Sequence, residues 1–155
     1  MIRTLAISGS LYLLSLPLQA QEFRTLEDIV AEDHEPSYPI VRCAAFYQAS
    51  VEWAGTNALG EESVTQSKSA IENLIIVATT LRQRRSGGEL EHVAEVLFRD
   101  VAMIKELYLN DFQQSYSRTG SAWDGNSLWE SDLQSCKYVA EISAELADQI
   151  RGGGQ

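Results

Sequence analysis

Apolar residues recur at three- and four-residue steps through four long stretches of this chain, the period of a helix that buries one side. From Pro39 to Leu59, Ile40, Cys43, Tyr47, Val51 and Ala54 form one face, and Phe46, Ala49 and Trp53 widen it. So broad a stripe predicts a helix packed on several neighbours. Ala44, Ala45, Ala49, Ser50 and Ala54 are small enough for close approach, while Arg42, Gln48 and Glu52 are expected to face water. Pro39 suits the first helical turn, where its missing N–H has no partner to lose. Gly60 is the expected stop.

From Glu61 to Arg85 the inward line is Val64, Ser67, Ile71, Leu74, Ile75, Ala78 and Leu81. Glu61 and Glu62 stand at the positive end of that helix dipole, and Arg82, Arg84 and Arg85 at the negative end. From Glu89 to Tyr116 the pattern is the most regular, with Leu90, Val93, Leu97, Val101, Ile104, Tyr108, Phe112 and Tyr116 in line and Phe98, Leu107 and Leu109 beside them. From Leu128 to Ile150, Leu133, Cys136, Val139, Ala140, Ile142, Leu146 and Ile150 are expected to face inward. Ser86 with Glu89, and Ser127 with Glu130, have capping-box spacing. A shorter amphipathic segment, Phe23 to Asp33, carries Phe23, Leu26, Ile29 and Val30 on one side, with Thr25 as its cap. Together these predict an all-α fold, a four-helix bundle-like single domain with a short extra N-terminal helix.

The first 20 residues do not fit that pattern. Arg3, an apolar run from Leu5 to Leu16, Pro17, and then Leu18-Gln19-Ala20 have the layout of a cleaved secretory leader of bacterial type. The run is shorter than the roughly 20 residues that span a bilayer. The expected organisation is a signal peptide over 1–20, a short helix and Pro-containing linker over 21–38, the bundle over 39–150, and a glycine-rich tail over 151–155. The expected address is the periplasm or the exterior, and there the chain's two cysteines, Cys43 and Cys136, are most simply one disulfide. Closing so long a loop stabilises by about 4–5 kcal/mol in the chain-entropy account. In an up-down-up-down bundle, the depths of the two cysteines require the fourth helix to overhang the first by about 15 Å. The segment from Phe23 could cover the overhang; the alternative is a crossed, less regular bundle.

Charge and motifs narrow the function classes. The net charge is −10, and loss of Arg3 with the leader makes it one unit more negative. Nucleic-acid phosphates call for the opposite sign, and no later segment reads as a membrane span. The sequence lacks Gly-x-Ser-x-Gly, His-Glu-x-x-His, phosphate-loop and dinucleotide-binding patterns, and it has no Cys-x-x-Cys. Glu89 and His92 make a Glu-x-x-His pair, but the second such motif of a di-iron bundle is missing. Asp33, His34 and Glu35 are metal-capable types, yet consecutive loop residues do not converge on an ion unaided. No catalytic residue, metal ligand or cofactor is assigned.

The irregular stretch from Arg118 to Ser127 holds Trp123 and the Asp124-Gly125 turn signal, with Trp129 just beyond. Trp in a turn acts as a lid over the bundle end or as an exposed recognition residue. The expected partner contacts are Trp123, Asp124 and Trp129, with Arg82, Arg84 and Arg85 as the concentrated basic patch, suited to an anion or carboxylate. The expected function is a non-catalytic binding protein that contacts a protein partner in the cell envelope. The alternative is a small hydrolase using Asp or Glu in an interhelical cleft; a third reading is a structural envelope component.

Overall fold

The computed structural model describes residues 23–32 and 35–153. The leader-like residues 1–20, and Asp33 and His34, lie outside this set. The described chain forms five helices and, among those residues, no strand: α1 (Leu26–Val30), α2 (Tyr38–Leu59), α3 (Glu61–Ser86), α4 (Leu90–Thr119) and α5 (Ser127–Gly152). The sequence pattern places the four long ones within a few residues of these bounds.

α2 is the central element. Six consecutive residues, Val41, Arg42, Cys43, Ala44, Ala45 and Phe46, are buried, so the helix has no solvent face over that stretch. It touches each of the other four helices. Ala44, Ala45 and Ala49 are fully covered and let neighbouring backbones come close. Gly55 breaks the helical run with φ 63° and ψ −179°, a conformation open to glycine because it has no Cβ. Just before the break, Trp53 meets Phe112 and Tyr116 of α4 edge-on.

The Cys43–Cys136 disulfide is present, with Cα atoms 5.2 Å apart. It joins α2 to α5 and leaves no free cysteine. The fold is a helical bundle, and α5 crosses it. α4 and α5, though consecutive, do not bring their backbones close; α5 packs on α3, α2 and α1. Near its start Asp132 meets Arg42, and near its end Arg151 reaches Asn73 of α3 at 2.7 Å. α5 therefore passes from α2 near its start to α3 near its end, which fits the crossed, less regular bundle.

Crossing also explains which α5 side chains are buried. Ser143 and Ala147 are buried, whereas Ile142 and Leu146, expected inside, are 40% and 38% exposed; small residues take the contact where two helices cross closely. Leu81, Leu90, Phe98, Leu107 and Tyr116 are likewise exposed, because the apolar lines of α3 and α4 run past the core. Two caps move by a few residues. Asn126, not Ser127, caps α5 by accepting from Trp129 N. Ser86 stays in α3 and accepts from Gly88 N, and Glu89 becomes the N-cap of α4 without a side-chain bond. Thr25 caps α1, as its spacing predicts.

Candidate functional site

Arg42, expected in solvent, is fully buried, and this is the main correction to the sequence reading. Its side chain and that of Asp132 each have 0% exposure, with Nη2 and Oδ2 2.7 Å apart. Arg42 Nε also donates to Asp132 Oδ2 at 3.0 Å and to the Tyr108 hydroxyl at 2.9 Å. Tyr108 in turn donates to Asp132 Oδ2. This knot ties α2, α4 and α5 together and bridges the gap between the last two. Asp132 lies one turn before Cys136, and Arg42 precedes Cys43, so ion pair and disulfide sit side by side.

The knot has hydrogen-bonding capacity left over, and the N-terminal segment takes part of it, while Arg42 Nη1 stays covered with no hydrogen-bond acceptor among the described residues. Asp132 Oδ1 accepts from Leu26 N at 2.7 Å, and Arg42 Nη2 donates to the Arg24 carbonyl. The Phe23 ring lies under the guanidinium, 4.3 Å from its carbon, in cation–π range. Phe23 also meets the Tyr108 ring edge-on. Burial works against the charged form of Arg42, but Tyr108 and Asp132 outweigh it and leave its pKa raised. Burial pushes the Tyr108 phenol well above its ordinary value, Arg42 opposes that, and Asp132 adds to it. These charged and phenolic groups face one another and not solvent.

Outside the knot, an open groove of about 1080 Å³ runs between residues 23–28, the outer side of α4 and residues 125–128. Asn110, Gln114, Arg118 and Asp28 line it, with Phe23 and Leu107 as apolar contacts. Its floor is pinned at Asn126, whose amide donates to Asp111 Oδ2 at 2.6 Å and to the Ala122 carbonyl at 3.0 Å.

The residues expected to contact a partner fall into two places. Trp123 and Trp129 stack with centroids 5.5 Å apart and planes 17° apart, and Trp129 rests on Phe46. Both indoles are half-buried, and their N–H groups are covered with no acceptor among the described residues. Asp124 is exposed beside them, its N–H held by Ser121 Oγ at 3.0 Å. Arg82 and Arg85 border a second, open cleft of about 470 Å³ together with Glu35, Ser86, His92, Val93 and Val96. Arg84 is exposed and is not part of that lining. The groove and the cleft share no residue.

Sequence reasoning missed Arg42, Tyr108 and Asp132. One signal was available: Asp132 has the same helical phase as Cys136, so a carboxylate was due to sit beside the bridge. No group of three or more metal-capable side chains occurs among the described residues, nor is any of their helices long and apolar enough to cross a membrane.

Compared with protein-family models, with curated proteins and with solved structures, the chain matches none. What it does must then be read from the chemistry of its own surfaces, since a helical bundle by itself implies no activity.

Proposed function

We propose that this chain is an exported, non-catalytic helical protein that binds a protein partner along the groove between residues 23–28, α4 and the loop before α5. The observation that carries this reading is the groove itself. Side-chain amides and hydroxyls, from Asn110, Gln114, Thr25 and Ser127, line a channel that also offers Phe23 and Leu107. Such a mixture suits the polar backbone and occasional apolar side chain of a peptide segment. Trp123 and Asp124 stand at the adjoining loop, where recognition residues concentrate. Export is supported by the leader-like residues 1–20 and by the disulfide, which belongs to an oxidising compartment.

The test is site-specific photocrosslinking from position 114 in cell envelopes, with position 68 on α3 as control. The reading expects one defined adduct from the groove and none from α3, with the adduct lost on Trp123→Ala. Equal labelling from both positions would defeat it. The hydrolase reading has one observation in its favour, that Glu35 and His92 border the same cleft. Glu35, however, accepts from both the amide and the hydroxyl of Ser37. Turnover of acyl or glycosyl model substrates that disappears in His92→Ala would revive it.

A further inference from the structure

We infer that the cleft between the end of α3 and the start of α4 binds a small monocarboxylate carried on a short apolar body, such as a medium-chain fatty acid. This is a second site, independent of the groove. Its floor is apolar: Val93 is buried and Val96 half-buried, and both line it. Its rim supplies donors. Arg82 is fixed in place from two elements, with Nη1 on Asp100 Oδ2 at 2.6 Å and Nε on Ser37 Oγ at 2.8 Å. Arg85 is exposed and has no ion pair among the described residues, and His92 stands across from it on α4.

The start of α4 adds to this. Glu89 makes no side-chain cap, and the first helical bond is Val93 N to Glu89 O at 3.0 Å. The N–H groups of Leu90, Glu91 and His92 therefore have no intrahelical partner, and that end of the helix favours negative charge. Among the described residues the one carboxylate on the rim is Glu35, which is directed to Ser37 and lies 3.8 Å from Arg82. A ligand carboxylate would meet a fixed guanidinium and a free one, with its hydrocarbon on the two valines. The volume of about 470 Å³ lies within the range of small-ligand sites. A bare anion leaves the floor uncovered, and an alcohol of the same length leaves Arg85 without a counter-charge.

The experiment uses the full oxidised chain and follows amide and methyl NMR shifts during titration with octanoate, octanol, acetate and inorganic phosphate. Octanoate is expected to give saturable shifts confined to the cleft lining, Arg82, Arg85, Ser86, His92, Val93 and Val96, and to bind more tightly than the other three probes. Arg85→Gln should weaken octanoate about tenfold, the cost of one charge-assisted contact, with the remaining spectrum unchanged. Val96→Ser should weaken octanoate while leaving acetate as it was. Absence of saturable shifts, equal binding of octanol or of acetate, or an Arg85→Gln chain that binds octanoate as well as the parent would each overturn the assignment.

Discussion

Two Arg–Asp pairs of nearly equal length do different things in this molecule. Arg42–Asp132 measures 2.7 Å with both side chains fully covered, and Arg82–Asp100 measures 2.6 Å with 18% and 37% of the side chains exposed. Distance therefore says little about what each contributes. The buried pair left water at high cost, which its mutual attraction alone does not reliably offset. It is sustained by Tyr108, by Leu26 N and by the Arg24 carbonyl, each meeting a donor or acceptor that would otherwise be unmatched. The half-exposed pair keeps water on one side, and its consequence is positional: it holds a guanidinium at the mouth of a cleft. One pair closes the fold and the other faces a candidate ligand.

The largest expected effect lies at the buried pair. Asp132→Ala leaves a guanidinium uncompensated in the interior and should cost about 3–5 kcal/mol in urea unfolding, whereas Arg82→Gln should cost about 1 kcal/mol or less. Equal losses would erase the contrast. Arg42→Met combined with Asp132→Leu should recover much of the single-variant loss, because no lone charge remains. Losses that simply add would show that the two residues act separately.

Next comes pH. A phenol whose pKa is raised by folding stabilises the fold while it is protonated. That contribution is complete below the ordinary value of 10.0 and is lost as pH climbs toward the raised value of Tyr108. Tyr47, raised by burial and by Glu141, acts in the same direction. The urea midpoint should therefore fall above that pH, and Tyr108→Phe should flatten the fall. A midpoint independent of pH through the phenol range would contradict the closed environment of the knot. Among changes around the buried pair, the smallest effect is expected at Phe23, whose removal withdraws a ring from a covered guanidinium. Phe23→Ala should cost about 1–2 kcal/mol, read in the same urea assay, with the disulfide intact.

The contrast also shows what a sequence can disclose. The four long helices are legible because their burial is periodic, and Cys43–Cys136 is legible because two cysteines leave only one pairing within the chain. The crossing of α5 is not, because periodicity names a face and not an angle; Ile142 and Leu146 fit an inward line as well as Ser143 and Ala147 do. Arg42 reads as a solvent residue because its counter-charge lies 90 positions away, beyond any local pattern. Tyr108 stands in an apolar line, where its ring belongs and its hydroxyl goes unnoticed. The basic cluster at Arg82, Arg84 and Arg85 is visible in the sequence, but the cleft beside two of them exists only once α3 and α4 are folded against each other.

The central claim is that a buried Arg–Asp pair, through bonding capacity left after its own contact, holds the N-terminal segment to the bundle. Hydrogen exchange at the Leu26 amide tests this most directly, because that N–H donates to Asp132 Oδ1 although it lies in the first turn of α1, where no intrahelical acceptor exists. The account predicts slow exchange in the parent chain and fast exchange in an Asp132→Ala chain that still shows helical circular dichroism. Fast exchange in the parent, or equally slow exchange in both, would contradict it.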